Sequence, residues 1–280
     1  MSEISESFFQ LMENHSSVRS FRAQAVIPAE HERRIVSAAQ RSSTSCNLQT
    51  YAFLSIKDPG TRDALAEVCG GQRFIREAGL FFVVCVDLHK MEIVTSRAGY
   101  EYYQARYLES FLMSAMDAAI AAQTAALAAE ALGYGICLVG SIRNHSDRAI
   151  QILQLPPRLF PLVGLCVGVP LRENQPNQPR PRLPLEGVLF QERYDPDRVE
   201  AAIRSYDRTM EQTGCYCGRE FSLQEVAVAA GETRREDSRP AGPGGYGWIE
   251  HSARRVCSRN PEHARPNLSA VLRQAGFGLE

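Results

Sequence analysis

The sequence predicts a layered α/β or α+β domain arranged around one long apolar helix, and three observations support this fold class. Residues 109–132 are mostly Ala, Leu, Met and Ile, the composition of a helix that is buried over most of its surface. The run Leu80–Val86 is continuously apolar, β-branched and aromatic, which is typical of a strand covered on both faces. Strand and helix patterns alternate along the chain, and no internal repeat is visible.

The predicted elements follow one another in chain order. Pro28 in a first turn opens a helix that runs into Ser42–Asn47, a stretch of small polar residues predicted to be a loop. Gly133 ends the central helix, and Ile136–Val139 follows as a short buried strand. Asn144 is predicted to cap the next helix. The other predicted helices are 4–14, 61–69, 144–153, 194–213, 248–256 and 268–275, and the other strands are 51–56 and 161–167.

Bulk composition argues against several classes of partner. Lysine and arginine number 31 against 32 for aspartate and glutamate, and this balance gives no support to a nucleic-acid or membrane partner. The N-terminus lacks the basic and apolar regions of a secretory signal. Polar residues interrupt the central helix, which is therefore not predicted to span a membrane: Asp117, Gln123, Thr124 and Glu130. We expect a soluble, cytoplasmic protein.

The cysteines do not have the spacing of a metal site. Five of the eight lie in apolar or strand-like contexts and are predicted to be small buried hydrophobes, namely Cys46, Cys69, Cys85, Cys137 and Cys166. A CxC pair at Cys215 and Cys217 lacks the second close pair of a zinc site, although His251, Cys257 and His263 follow. Ordinary loop cysteines are the favoured interpretation, a disulfide or redox role is the alternative, and no metal is assigned.

The composition changes at Pro170, where a stretch rich in proline, arginine and amides is predicted to be an extended arm over residues 170–190. Residues 1–213, including this arm, are predicted to form the core domain. Residues 214–247 are predicted to be a flexible loop insertion, with the charged and glycine-rich composition common in mobile loops. Residues 248–280 are predicted to be C-terminal helices that pack on the same domain.

Cations and hydroxyls in two segments form a candidate anion site. Arginine's planar fork matches phosphate and carboxylate groups, and serine hydroxyls complete such a shell. The residues are His15, Ser16, Ser17, Arg19, Arg180 and Arg182. Any one of these arginines taken alone is more often a solvated surface charge. Gly140-Ser141 after a buried strand is a further candidate, since its backbone N–H groups can face a ligand. Rossmann, Walker and HExxH motifs do not occur in the sequence.

Taken in order, short motifs in this chain resemble the FMN-dependent nitroreductase superfamily, in particular its NADPH-dependent nitroreductases and NADPH–flavin reductases. The similarity runs from residue 8 to residue 213 and covers the whole central helix, with a shorter match around Trp248, 265–266 and 274–277. The motifs are His15–Arg19, Ser43–Ser45 with Leu48-Gln49, Gly70-Gly71-Gln72, Leu132-Gly133, Val139–Asn144, Leu162–Gly168 and Arg180–Pro184.

The resemblance implies an α+β fold in which helices flank a central mixed β-sheet and a long buried central helix lies at a homodimer interface. It implies one FMN in each of two sites, each shared between subunits. The ribityl phosphate would be held by His15, Ser16, Ser17, Arg19, Arg180 and Arg182, although Ser16 stands where relatives often have a second arginine. Ser43, Thr44 and Ser45 would come from the other subunit. Gln72 would contact the ring, with the backbone of Leu138, Val139, Gly140 and Ser141 beside it.

No catalytic side chain is assigned, because the chemistry would take place at the flavin N5, with the backbone of Ser141 nearby. The implied cycle is ping-pong: NADPH reduces the flavin and leaves, and a nitroaromatic or quinone then receives two electrons. Arg219 matches a family arginine for the NADPH 2′-phosphate, whereas Gly214 stands where another is usual. Either Arg234, Arg235 and Arg239 take over this role or the preference has shifted to NADH. Arg265 matches a position at the substrate opening.

Two alternatives remain open on the sequence. Within the same fold, the chain is a flavin reductase that supplies reduced FMN to a partner enzyme. In another class, it is a flavin- or thiol-based redox sensor whose working part is the 214–247 loop with its cysteines.

Overall fold

The computed structural model describes residues 3–23, 25–171, 179–216, 226 and 246–280. The chain forms two compact units, the first comprising residues 1–179 and 265–280 and the second residues 180–264. The division predicted from the sequence, with boundaries at 213/214 and 247/248, stays a prediction. Most of its loop insertion, 214–247, lies outside the described residues.

The first unit is built on a four-stranded sheet. Its strands are β1 (Tyr51–Ser55), β2 (Leu80–Asp87), β3 (Gly135–Val139) and β4 (Leu159–Gly168), in the order β1-β2-β4-β3. Each pair of neighbours among these strands is antiparallel. All eight residues of β2 are buried, as its unbroken apolar composition predicts. An isolated bridge between Ser17 and Ile136 adds one parallel pairing to β3.

Most of the helices were predicted from the sequence, and their observed ends differ from the predicted ends by a few residues. The first unit contains α1 (Glu3–Glu13), α2 (Ala29–Ala39), α3 (Pro59–Val68), α4 (Arg73–Glu77), α5 (His89–Ala98), α6 (Leu108–Ala131), α7 (Ser146–Ile152) and α11 (Leu268–Gln274). The second unit contains α8 (Pro196–Thr213), α9 (Trp248–Val256) and α10 (Pro261–Ala264). In the second unit, Asp195 caps α8 by accepting from the backbone N–H groups of Asp197 and Arg198.

The central helix α6 has two different apolar faces. One is a stripe of buried alanines that packs against the sheet, and their small side chains allow close approach: Ala118, Ala121, Ala122, Ala125, Ala126 and Ala129. The other face carries large apolar residues that are 40–58% exposed, namely Leu108, Leu112, Met116 and Ile120. Within one chain, α6 is therefore buried on one face only. Composition alone does not separate a buried face from an exposed apolar one.

By length and composition alone, α6 is long and apolar enough to span a membrane. In the structure, 39% of its most apolar 18-residue stretch is buried. A core helix of a soluble protein meets the same criteria. The helix buries the carboxylate of Asp117 together with its alanine stripe. Its packing on the sheet is that of a core helix.

Several local predictions need correction. Helices α4, α5 and α10 were not predicted, and α5 ends at Gly99 in the left-handed conformation (φ 75°). Asn144 does not cap α7, because His145 occupies the N-cap position and the Asn144 side chain accepts from Arg265 instead. Cys46 is exposed rather than buried, since it lies in a surface loop with a positive φ of 48°. The other four cysteines predicted to be buried are buried.

Candidate functional site

The turn that follows β3 is the centre of the candidate site. Residues Gly140–Arg143 form a 3-10 turn directly after Val139, so the backbone leaves the sheet at this point. The amide Nε2 of Gln72 donates to the hydroxyl of Ser141 over 3.0 Å. Both side chains are only partly buried, and each retains access to solvent. The structure therefore brings together two segments that the sequence separates by 69 residues.

The position of Gln72 depends on two glycines. Helix α3 ends at Val68. Gly70 (φ 81°) and Gly71 (φ 69°) then adopt left-handed backbone conformations that residues other than glycine rarely adopt. Gln72 follows as the N-cap residue of α4, which fixes the start of its side chain. The thiol of Cys69 also hydrogen-bonds Ser141, and burial raises the pKa of this thiol to about 12. It stays protonated at neutral pH.

The candidate phosphate-binding segment lies beside β3. The backbone N–H of Val18 donates to the carbonyl of Ile136 over 2.7 Å, and Ser17 forms the parallel bridge to the same residue. Val18 is buried, whereas Ser17 and Arg19 on either side of it are exposed. This alternation is that of an extended strand and directs the hydroxyl and the guanidinium outward. Ser16 is partly buried.

His15 is held by the end of the central helix. Its Nδ1 lies 2.7 Å from a carboxylate oxygen of Glu130, and both side chains are partly buried. With a proton on Nδ1 the ring donates to Glu130, and Nε2 remains for a further hydrogen bond. Arg19 makes no ion pair with a carboxylate in the described part of the chain. His15 and Arg19 thus lie on one segment beside β3.

The serine-rich segment is attached to α6 rather than to the turn after β3. Ser43 is exposed, and Thr44 and Ser45 are partly buried. The backbone N–H of Ser45 donates to Asp117 over 2.9 Å, and the hydroxyl of Ser42 donates to Thr124 over 2.8 Å. Within one chain these hydroxyls therefore form a separate group from Gln72 and Ser141.

Two arginines flank the turn after β3. The Arg265 guanidinium donates to the side-chain oxygen of Asn144 through Nε (3.1 Å) and Nη2 (3.0 Å), and Nη2 also lies 3.2 Å from the carbonyl of Gly140. Arg143 donates to the carbonyl of Leu162. Burial, and then the charge of Arg265, lowers the pKa of Arg143. None of the described carboxylates pairs with Arg143. Sequence reasoning did not assign Arg143 or Asn144 to the site, although both belong to the matched motif Val139–Asn144.

The remaining predicted residues lie in the second unit or outside the described ranges. Arg180 and Arg182 are exposed, and Arg182 Nη1 donates to the carbonyl of Arg180 over 2.8 Å. The hydroxyl of Tyr206 donates to the carbonyl of Pro181, and burial raises the pKa of Tyr206 against the opposing charges of both arginines. Outside the described residues lie Cys217, Arg219, Arg234, Arg235 and Arg239.

A groove of about 740 Å³ lies elsewhere in the first unit, between residues 25–29 and the helices α3 and α4. None of the predicted site residues lines it. Its charged side chains pair with one another or with neighbours, for example Lys57 with Glu32 at 3.0 Å and Arg76 with Asp63 at 2.5 Å. The groove therefore presents no concentrated charge to a ligand.

Comparison with known proteins decides the family. The model of the nitroreductase family matches residues 12–169, more than half of the chain, and the model of that family's C-terminal domain matches residues 180–216. The chain belongs to the nitroreductase family. It is 35% identical over 210 residues to an NADPH-dependent oxidoreductase of Staphylococcus saprophyticus, covering 74% of this chain and 82% of the relative. It is 36% identical over 200 residues to an FMN reductase (NADPH) of Bacillus subtilis, covering 70% and 79%.

A solved nitroreductase structure has the same fold. The NfrA1 nitroreductase from B. subtilis superposes with a TM-score of 0.81 at 28% identity, covering 97% of this chain and 99% of that chain. These matches confirm the resemblance and the α+β fold class predicted from the motifs. The roles of individual site residues stay predictions.

Proposed function

We propose that this nitroreductase-family protein is an FMN-dependent NAD(P)H oxidoreductase that reduces nitroaromatics and quinones in a two-electron, ping-pong cycle. Relatives named NADPH-dependent oxidoreductase and FMN reductase (NADPH) support the cofactor and the electron donor. The observation that carries the proposal is the contact between Gln72 and Ser141 at the end of β3, next to the segment that presents Ser17 and Arg19. Three of the nitroreductase motifs, His15–Arg19, Gly70–Gln72 and Val139–Asn144, lie along β3 and the turn that follows it.

The donor set of the first unit fits FMN. A flavin needs hydrogen-bond partners along one edge of a flat ring and cations or hydroxyls at its phosphate. The Gln72 amide, the Ser141 hydroxyl and the backbone of residues 138–141 are the proposed partners of the ring. His15, Ser16, Ser17 and Arg19 are the proposed partners of the phosphate, and Arg180 and Arg182 remain proposed phosphate ligands on the family resemblance alone.

FMN, when bound, supplies the two-electron redox chemistry that no side chain of this site provides. The chain's own residues bind and orient it. Arg143 is a partly buried guanidinium without a carboxylate partner among the described residues, so its charge favours negative charge on a nearby ring. Arg265 holds Asn144 and the carbonyl of Gly140 in place and thereby fixes the turn. Arg265 remains the proposed residue of the substrate opening, and Arg219 the proposed contact of the NADPH 2′-phosphate.

We further propose a cytoplasmic homodimer in which each flavin site is completed by Ser43, Thr44 and Ser45 of the other subunit. The exposed apolar stripe of α6 supports the dimer, because apolar residues at positions 108, 112, 116 and 120 recur every fourth residue and form one continuous face. Attachment of the serine-rich segment to the same helix supports the shared site, because the dimer contact would carry those hydroxyls to the partner.

A second candidate function is flavin reduction, in which reduced FMN leaves for another enzyme. The name of the B. subtilis relative, FMN reductase (NADPH), favours it. Gel filtration separates the two functions. A nitroreductase retains FMN through the column and oxidises NADPH with nitrofurazone or menadione, whereas a flavin reductase releases FMN and requires added flavin as substrate. The NADPH oxidation assay also tests the redox-sensor alternative. If the thiols take no part, Cys215→Ser and Cys217→Ser leave turnover unchanged, and a loss of turnover would favour the sensor.

A further inference from the structure

Asp117 is a buried carboxylate in the middle of α6. Asp117 is only 2% exposed, and no cation in the described part of the chain forms an ion pair with it. Instead it accepts hydrogen bonds from one segment, the serine loop, which we define as residues 42–50. Oδ1 accepts from the backbone N–H of Ser45 at 2.9 Å, and Oδ2 accepts from the Thr50 hydroxyl at 2.9 Å and from the Thr50 N–H at 3.4 Å.

The serine loop has a conformation that its residues do not favour by themselves. Three non-glycine residues have left-handed φ values: Cys46 (48°), Asn47 (58°) and Gln49 (55°). Such values persist only where the surroundings hold the backbone. The two residues bonded to Asp117, Ser45 and Thr50, lie immediately before and after this strained stretch. A single carboxylate therefore fixes both ends of it.

A second contact fixes the start of the loop. The hydroxyl of Ser42 donates to Thr124, which itself donates back to the carbonyl of Ile120. Thr124 is two helical turns after Asp117 on α6. The loop is thus attached along the helix, and Ser43 and Thr44 lie between the two attachment points.

We propose that Asp117 is the positioning residue of the serine loop, which sets the hydroxyls of Ser43, Thr44 and Ser45 for the FMN of the partner subunit's site. The inference rests on the proposed function, because it assigns the loop to the flavin. It adds a residue that does not itself touch the ligand. The Asp117 side chain suits this task, because both of its oxygens accept and all of its hydrogen-bond partners in the loop are donors.

Asp117→Asn is the direct test. The amide is isosteric but replaces one acceptor by an NH2 group, which then faces an N–H or O–H donor, so one end of the strained stretch is released. We expect FMN to dissociate with a Kd at least tenfold higher than in wild type. We also expect the Ser45 and Thr50 amides to exchange faster with D2O, while the amides of β2 keep their protection.

Two further variants provide the controls. Asp58→Ala removes a capping carboxylate of α3 that accepts from the Thr61 N–H at 2.7 Å, and it destabilises the fold without touching the serine loop. It is expected to leave the FMN Kd within twofold of wild type. Thr50→Val removes one donor and keeps the Asp117 carboxylate, and we expect an intermediate rise in Kd. This milder variant carries the test if Asp117→Asn does not fold.

The outcomes separate the two claims. A wild-type protein that binds no FMN contradicts the proposed function. Wild type that binds FMN, together with Asp117→Asn or Thr50→Val variants of unchanged Kd and unchanged amide exchange, overturns the positioning role. A rise in Kd that Asp58→Ala reproduces also overturns it, because loss of stability alone then explains the effect.

Discussion

The Nε2 of Gln72 lies 3.0 Å from the hydroxyl oxygen of Ser141 and joins the glycine turn after α3 to the turn after β3. This contact orients both side chains before any ligand is present. It also connects two motifs whose roles were assigned separately from the sequence. Preorganised donors cost less to align when a ligand binds, and the contact is therefore a direct contributor to the proposed flavin site.

Gln72→Leu is expected to weaken FMN binding about fivefold, because a neutral hydrogen bond contributes about 1 kcal/mol net. Quenching of FMN fluorescence on titration with apoprotein measures the Kd. Gln151→Leu, which changes an exposed glutamine on α7, is the matched control. An equal effect of both variants would count against a role for Gln72 at the ring.

Arg19→Gln tests the phosphate contact. A charge-assisted hydrogen bond contributes about 1.5–3 kcal/mol, so we expect a Kd for FMN that is higher by roughly 10- to 150-fold. Riboflavin, which lacks the phosphate, is expected to bind wild type and variant equally. Arg97→Gln, at an exposed arginine on α5, should change neither value. If riboflavin binding falls as much as FMN binding, Arg19 does not act on the phosphate.

The sequence predicted the elements whose composition repeats a local pattern. The alanine-rich α6 and the unbroken apolar run of β2 belong to this group. Helix α5 has no buried residue, so it lacks the apolar periodicity from which helices are predicted. Composition also predicted burial for α6 as a whole, whereas Met116 and Ile120 are exposed within the chain.

The contacts that shape the candidate site join residues far apart in the sequence, so local sequence patterns do not predict them. His15 meets Glu130 across 115 residues, and Arg265 meets Asn144 across 121. Asp117 appeared in the sequence only as an interruption of an apolar helix, because nothing local shows which donors it accepts from. Motif order identified the family and proposed site roles, and only the fold shows which groups hold those residues.

Met116→Lys is expected to disrupt the proposed dimer. Met116 is 58% exposed in the chain and lies in the apolar stripe of α6, where a buried unpaired charge at an interface is strongly unfavourable. We expect a monomer in light scattering and reduced FMN content, since each site would lose the partner's serine loop. Val94→Lys on α5 is matched in exposure, at 55%, and should keep the wild-type mass. If the Met116→Lys variant remained a dimer, the dimer interface would not include the apolar stripe of α6.

The buried thiols predict how stability depends on pH. Burial raises the pKa of Cys69, Cys85, Cys137 and Cys166. In the unfolded chain these thiols ionise near about 8.5, so above that pH the unfolded state binds fewer protons than the folded state. The free energy of unfolding should therefore fall as pH rises above this value, by on the order of 1 kcal/mol for each thiol at pH 9.5.

Urea unfolding at pH 7.5 and 9.5, with a reductant present, measures this loss. Cys166→Ala removes one of the four thiols and should make the difference between the two pH values smaller by roughly a quarter. Equal free energies of unfolding at both pH values would contradict ionisation of these thiols on unfolding.

The central claim is that this chain transfers electrons from a reduced pyridine nucleotide to an acceptor through a bound FMN. Anaerobic titration of the purified holoprotein, followed by visible absorption, tests it most directly. We predict that about one equivalent of NADPH or NADH per FMN bleaches the flavin bands, and that nitrofurazone then restores them. A protein that binds no FMN, or whose bound FMN neither nucleotide reduces, would contradict the account.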